Sequence, residues 1–182
     1  MAGVPALTLL HLGPGYLNAG ANIHNARRAY VPMVNLIGDH AVTHRAYDAP
    51  LASDIAGLAG PNSRWLKSVD RVEDAGRLAV EAFENSYGPP PGPVSLIMPA
   101  DTAWTAGAAR AAAGKRAGLK IADDDLIEQA GRAVIKAKRP AILVNGTALH
   151  AGGAETLRRM DEVMDVERAL PGHDVAAIII EP

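Results

Sequence analysis

Residues 9–18, Leu-Leu-His-Leu-Gly-Pro-Gly-Tyr-Leu-Asn, predict a strand, a tight turn and a helix in direct succession. The apolar run from Ala6 to Leu12 is typical of a buried strand in a parallel sheet. Glycine permits backbone angles and close approaches that side chains prevent, and the start of a helix offers free N–H groups and partial positive charge. We therefore expect this turn to lie at a ligand-facing edge of an α/β domain.

The same residues also have a purely structural interpretation. Many α/β proteins use Gly and Pro to turn from a strand into a helix, and Asn18 would then be a helix cap. The spacing of Gly13, Gly15 and Gly20 does not fit the G-x-G-x-x-G pattern of a dinucleotide site. Both interpretations stay open at this point, because a helix cap can lie beside a ligand.

The composition is that of a globular protein of 182 residues, 48% of them hydrophobic. This length suggests one domain, or one domain and part of another. The net charge of −2 excludes a basic surface that would attract nucleic acid or an anionic membrane. The chain has no cysteine, no charged leader and no apolar run near the ~20 residues that span a bilayer. These features predict a cytoplasmic protein with no membrane segment.

The order of apolar and polar segments predicts a parallel sheet flanked by helices over residues 1–105. The predicted strands are Ala6–Leu12, Met33–Ile37, Arg64–Val69 and Pro93–Met98, and the predicted helices are Leu17–Tyr30, about Leu51–Leu58, and Asp70 to about Tyr87. The sequence Asp-Arg-Val-Glu at residues 70–73 has the spacing of a capping box for the last of these helices.

A second, smaller α/β unit is predicted after a linker at residues 106–122, where Ala, Gly, Lys and Arg follow one another without periodicity. The unit covers residues 123–182. Its predicted elements are a helix Asp124–Lys138, a strand Ala141–Val144, a helix Glu155–Val166 and a strand Val175–Ile180.

Four motifs in a fixed order carry a resemblance to a known family. They are His-Leu-Gly-Pro-Gly-x-x-Asn at residues 11–18, Asn-Ile-His-Asn-Ala-Arg-Arg at 22–28, Val-Asn-Leu-Ile-Gly-Asp-His at 34–40 and Asp-Ala-Pro-Leu-Ala-Ser-Asp at 48–54. Together they resemble the pyrimidine-binding domain of thiamine diphosphate-dependent enzymes, with acetolactate synthase-like and benzoylformate decarboxylase-like members nearest. The likeness covers residues 1–105 well and continues weakly to about 150. It implies that residues 123–182 are the start of a Rossmann-like central domain.

The resemblance also implies a cofactor and a reaction. Thiamine diphosphate in such enzymes attacks a 2-oxo acid through its ylid, carbon dioxide is lost, and the activated aldehyde passes to an acceptor or is released. On the family pattern, Gly13, Pro14, Gly15 and Asn18 line the pocket for the aminopyrimidine ring of a neighbouring subunit's cofactor. A homo-oligomer or a partner chain is therefore implied.

Two histidines are the candidate catalytic residues. His11 ends the first predicted strand, at the edge where open α/β sheets bind ligands, and histidine moves protons near neutral pH. The resemblance implies that His11 faces the substrate, and the structural alternative is a histidine packed at a domain interface. His40 ends the second predicted strand at the same edge and is the second candidate.

No metal site is predicted. His24, His44 and Asp48 lie near His40 in the sequence, but there is no H-E-x-x-H motif and His24 belongs to a different predicted element. The pair at residues 38–39 is not the family's Gly-Asp-Gly motif for magnesium and diphosphate. The resemblance therefore implies that Mg²⁺ would be bound by a domain absent from this chain.

These features lead to a main hypothesis and two alternatives. The main hypothesis is a fragment of an acetolactate synthase-like enzyme that is inactive alone, because the family's cofactor-activating glutamate lies on an upstream segment that we expect to be missing. The first alternative is a non-catalytic subunit or interaction module that complements another chain. The second is an unrelated small nucleotide-binding protein.

Overall fold

A computed structural model describes residues 4–114, 122–137, 140–144 and 176–180, with the pairs 152–153, 155–156 and 158–159. The chain divides into two compact units between residues 118 and 119. The described part of the first unit contains a parallel sheet in the strand order β1-β2-β4-β3. Its strands are β1 Ala6–His11, β2 Met33–Asp39, β3 Leu66–Ser68 and β4 Pro93–Pro99.

Helices cover both faces of this sheet, which confirms the predicted architecture. They are α1 Leu12–Arg28, α2 Ile55–Ala59, α3 Ala75–Tyr87 and α4 Ala100–Trp104. Side chains alternate between the faces of each strand, so β2 sends Ile37 into the apolar cluster under α1 and α2, and Val34 into the cluster under α3. Short 3₁₀ helices at Val42–Tyr47, Gly60–Asn62 and Val72–Asp74 connect these elements.

The start of α1 differs from the prediction. The helix begins at Leu12 and not at Leu17, because Leu12 itself takes a positive φ of 54° and reverses the chain within one residue. Pro14 then falls in the first helical turn, where its missing N–H leaves no hydrogen bond unmade. The prediction of a Gly-Pro-Gly turn before the helix was therefore wrong: these residues form the first turn of α1.

The predicted capping box is also wrong. Residues 72–74 form a 3₁₀ turn, and α3 starts after it at Ala75 with no side-chain cap. The Asp70 carboxylate accepts hydrogen bonds from Ser68 and Arg45 instead. Asp70 therefore binds Arg45, which is distant in the sequence, and not the nearby backbone N–H that its spacing indicated.

Part of the predicted linker packs on the first unit. A Cβ on Gly76 of α3 would overlap the carbonyl oxygen of Ala109, and a Cβ on Gly114 would lie 2.9 Å from a methyl of Val80. Residues 109–114 therefore run along α3 in close contact.

The described part of the second unit has one helix and two strands. Helix α5, Asp124–Lys136, is capped by Asp123, whose carboxylate accepts the N–H of Asp125 at 3.1 Å. Strand β5, Pro140–Val144, pairs in parallel with β6, Ala176–Ile180. Most of the predicted helix over 155–166 lies outside the described residues. None of the helices in the described ranges is long and apolar enough to cross a membrane.

Strand β1 has a face that the described residues leave open. The side chains of Leu7 and Leu9 are 69% and 81% exposed, although they point to the face that α3 covers further along the sheet. Among the described strands, β1 is at the end of the sheet, so one of its edges has no strand beside it.

Tyr16 is the largest fully buried side chain of α1. Its hydroxyl is buried without a hydrogen bond of ordinary geometry. Burial raises the pKa of Tyr16, and the neighbouring Asn62 side chain offsets part of this increase.

Replacing Tyr16 with Phe should change how stability depends on pH. In the unfolded chain a tyrosine ionises near pH 10, while the folded state keeps Tyr16 protonated to higher pH, so the wild type loses stability above about pH 10. Tyr16→Phe removes this term, and its free energy of unfolding should rise relative to the wild type as the pH increases from 9 to 11. Urea titrations at each pH measure the difference, and a difference independent of pH would contradict the prediction.

Candidate functional site

The four parallel strands of the first unit end at one edge of the sheet. His11 at the end of β1 lies opposite Gly38 in β2, and Asp39 in β2 lies opposite Pro99 in β4. Ligands of open parallel sheets bind outside this carboxyl edge. The candidate site is therefore the set of side chains that follow these strand ends.

The N-terminus of α1 opens at this edge next to His11. The His11 side chain is exposed and makes no capping hydrogen bond, and the first turn of α1 carries no acidic residue. The first N–H groups of a helix have no partner within the helix and carry partial positive charge. The N–H groups at this end of α1 can therefore donate hydrogen bonds to a polar or anionic ligand group.

Four of the predicted site residues share one side of the first half of α1. A Cβ on Gly15 would lie 3.4 Å from the Cβ of His11, so these two residues are in contact. Pro14 and Asn18 are both exposed and are one helical turn apart. Asn18 lies about 9 Å along the helix from Leu12, at 1.5 Å per residue, and is not a helix cap.

Gly13 lies on a different side of α1 and is buried. A Cβ at this position would overlap the side chain of Ser53 and come within 3.4 Å of Leu58. Close packing between α1 and the segment before α2 therefore explains why residue 13 is a glycine.

Leu12 holds the sharp reversal that puts α1 against β1. A left-handed backbone costs a residue with a side chain about 1–2 kcal/mol. Burying a leucine side chain contributes about 1.5–3 kcal/mol, and Leu12 is only 3% exposed in the apolar cluster with Tyr16 and Ile37. Burial thus offsets the backbone strain and fixes His11 beside the helix N-terminus.

His40 follows β2 at the same edge and belongs to a row of three rings. Its Nε2 atom is buried without a hydrogen-bond partner. The His40 and His44 ring centroids are 5.3 Å apart, and those of His44 and Tyr47 are 5.6 Å apart. His24 is exposed in the second half of α1. The described part of the chain contains no group of three or more His, Asp or Glu side chains that could hold a metal ion.

Sequence analysis missed the charged network around Arg45. The guanidinium donates to Asp39 Oδ2 at 2.8 Å, to Asp70 Oδ1 at 3.1 Å and to Ser68 Oγ at 3.1 Å. No periodicity or spacing marks this set, because its members meet only when β2 and β3 are placed in one sheet.

Comparison with known proteins gives a family match for the N-terminal part of the chain. Residues 1–58 match the family described as the thiamine pyrophosphate enzyme N-terminal TPP-binding domain, and this stretch includes β1, α1 and the ring row. Residues 1–58 belong to this domain family, and the chain as a whole resembles the N-terminal part of thiamine diphosphate-dependent enzymes. The resemblance found in the ordered motifs is therefore confirmed.

The relatives extend this match over most of the chain. It is 44% identical over 161 residues to a Mycobacterium tuberculosis protein provisionally named acetolactate synthase large subunit IlvX, covering 88% of this chain and 30% of that protein. It is 26% identical over 170 residues to the large subunit of Escherichia coli K12 acetolactate synthase isozyme 3, covering 90% of this chain and 30% of that one. The chain thus spans about a third of the length of these relatives.

Solved structures agree with the sequence comparison. The fold matches a Mycobacterium smegmatis protein provisionally described as a thiamin diphosphate-dependent enzyme, with a TM-score of 0.78 and 26% identity over 95% of this chain and 32% of that one. Benzoylformate decarboxylase from Polynucleobacter necessarius matches with a TM-score of 0.66 and 21% identity over 76% of this chain and 26% of that one, which shows a shared fold alone.

At most helical positions an alanine variant is more stable than a glycine variant, and we expect the opposite order at Leu12. Both Leu12→Ala and Leu12→Gly lose the buried side chain, but only glycine relieves the left-handed strain, so Leu12→Gly should be the more stable variant by about 1 kcal/mol. Ala21→Gly, at an exposed interior position of α1, should instead cost about 1 kcal/mol. Urea midpoints measure all three, and a Leu12→Ala variant more stable than Leu12→Gly would refute the strain.

Two glycines of α1 should respond oppositely to alanine. Gly13→Ala should destabilise the protein by about 1–2 kcal/mol, because overpacking against Ser53 outweighs the better helix propensity. Gly20→Ala should stabilise it by about 0.5–1 kcal/mol, since nothing lies within 4 Å of the new methyl. Thermal unfolding compares the pair, and equal stabilisation of both would mean that the Ser53 segment moves aside freely.

Proposed function

We propose that this chain forms the aminopyrimidine-binding part of a thiamine diphosphate site in an acetolactate synthase-like enzyme. The main support is that the family match over residues 1–58 coincides with the open N-terminus of α1 at the carboxyl edge of the sheet. Pro14, Gly15 and Asn18 would line the ring pocket. Gly13 would act indirectly, by letting α1 approach Ser53.

The residues at this edge fit the ring of the cofactor. An aminopyrimidine presents hydrogen-bond donors and acceptors, and the edge offers the free N–H groups of α1 and the unpartnered Nε2 of His40. Gly15 keeps the helix surface beside His11 free of a side chain. A planar ring can therefore approach the backbone here.

The described residues do not fit the other end of the cofactor. Mg²⁺ requires several oxygen ligands, and the described ranges contain no cluster of three candidate ligand residues. We propose that magnesium and the diphosphate are held by a domain outside this chain. The partial central domain proposed for residues 123–182, after the linker at 106–122, would connect the two parts.

The proposed reaction of the assembled enzyme is the decarboxylation of a 2-oxo acid and transfer of the activated aldehyde. The cofactor supplies the carbon nucleophile when it is bound. His11 is exposed beside the helix N-terminus, so it is placed to bind the substrate carboxylate or to move a proton. His40 is the second proton-transfer candidate. We propose that the chain is inactive alone, because its residues supply only the ring side of the site.

A homo-oligomer or a partner chain is part of the same proposal. A site that binds only one end of a cofactor requires another domain or subunit for the other end. The cytoplasm is the proposed compartment, and the absence of cysteine in the sequence supports it.

Calorimetric titration of the chain with thiamine and with thiamine diphosphate tests the proposal. A site for the ring alone predicts that both ligands bind with similar affinity and that added Mg²⁺ changes neither. Asn18→Ala should weaken both by roughly fivefold, which corresponds to about 1 kcal/mol for one hydrogen bond. The matched control is Asn22→Ala, one turn further along α1, which should bind as the wild type does.

Other outcomes would refute the proposal. No heat with either ligand would mean that the edge is not a cofactor half-site in this chain. Tight binding of thiamine diphosphate that depends on Mg²⁺, with none of thiamine, would place recognition at the diphosphate and overturn the assignment of the ring side.

A further inference from the structure

Arg45 connects the ends of β2 and β3, two strands that are not hydrogen-bonded to each other in the sheet. Its guanidinium contacts Asp39, the last residue of β2, Ser68, the last residue of β3, and Asp70, which follows β3. β2 and β3 are not neighbours, because β4 lies between them. Arg45 therefore bridges across the end of β4.

This bridge leads directly to the His40 main chain. The Asp39 carboxylate accepts from Arg45 Nε with one oxygen, and its other oxygen accepts the N–H of His40 at 2.7 Å. The same carboxylate thus fixes the position of the Arg45 guanidinium and that of the His40 backbone N–H.

A second contact holds the other side of the Val42–Tyr47 turn. The N–H of Val42 donates to both carboxylate oxygens of Asp101, each at 3.1 Å, and Asp101 follows β4. The turn is therefore held at the ends of β2, β3 and β4. His44 and Tyr47 project from it into the ring row with His40.

We propose that Arg45 is a positioning residue for His40, since it fixes the Val42–Tyr47 turn and so the contact between the His40 and His44 rings. The inference rests on the proposed function only in treating His40 as a pocket residue. A planar guanidinium with three partners restricts geometry in a way that a lysine ammonium does not.

The magnitude of the interaction supports a geometric role over a purely stabilising one. An exposed ion pair contributes about 0–1 kcal/mol, and the Arg45 and Asp70 side chains are 35% and 55% exposed. The Asp39 side chain is only 13% exposed, so water screens this contact less. Loss of Arg45 should therefore cost little stability and change the local geometry.

NMR of the full chain tests the inference. The wild type should give a ring-to-ring NOE between His40 and His44, and slow exchange of the His44 amide, which donates to Ala41 at 2.8 Å. Arg45→Gln should abolish the NOE and speed exchange of the His44 and Val42 amides about tenfold. Arg45→Lys should not restore the NOE, although it restores the charge.

Arg77→Gln is the matched control. Arg77 also binds two carboxylates, Asp74 at 2.8 Å and Glu81 at 3.3 Å, but lies on α3 away from the ring row. In Arg77→Gln, the NOE between the His40 and His44 rings and the exchange rates of the His44 and Val42 amides should equal those of the wild type. An unchanged NOE in Arg45→Gln, or the same loss in Arg77→Gln, would overturn the proposal. So would a lower unfolding midpoint in Arg45→Gln with the native ring contact intact.

A second variant covers the case in which Arg45→Gln does not fold. Asp70→Asn keeps the contact between Arg45 and Asp39 and weakens the one to β3, so it should reduce the NOE and speed exchange partly. Wild-type behaviour of Asp70→Asn would then overturn the inference. Failure of thiamine binding with these NMR changes present would refute the proposed function alone, and binding with no NMR change would refute this inference alone.

Discussion

The first unit depends on the backbone reversal at Leu12. A positive φ is rare for leucine, and here it allows β1 to pass into α1 with no loop between them. The buried Leu12 side chain holds this geometry against its own strain. As a result α1 folds straight back over the sheet, Gly13 meets Ser53 on its buried side, and the helix N-terminus opens beside His11.

The carboxyl edge has two halves of different character. Over the ends of β2, β4 and β3, the Val42–Tyr47 turn is held by carboxylates and by Arg45. At the end of β1, His11 is exposed and the first turn of α1 has no acidic side chain. The open half is the side of the edge that we propose for the ligand, and His40 follows β2, the strand that lies between β1 and β4.

The strands and the family could be predicted from the sequence because both depend on local order. Apolar runs fixed β1, β2 and β4 to within a few residues, and the order of the motifs around residues 11–54 pointed to the family. The start of α1 could not be predicted in this way. Gly-Pro-Gly resembles a turn, and nothing in a leucine indicates a left-handed backbone that only tertiary burial stabilises.

The charged contacts were missed for a related reason. Asp70 has the spacing of a helix cap, but its carboxylate binds Arg45, 25 residues earlier in the chain. The Asp70 carboxylate could cap a nearby helix or bind a distant side chain, and only the first possibility can be recognised from the spacing of residues in the sequence. The sequence placed His11 correctly at the end of β1 and Asn18 in α1, but it placed Pro14 and Gly15 in a turn before the helix.

The open side of β1 has a consequence for how this chain behaves in solution. Among the described strands, β1 has an edge without a neighbour next to two exposed leucines, and such an edge is a template for pairing between molecules. Folding within one chain does not depend on protein concentration, but such pairing grows with it. We therefore expect β1 to promote association as the protein concentration rises, and a charged residue in place of the 81% exposed Leu9 should reduce it.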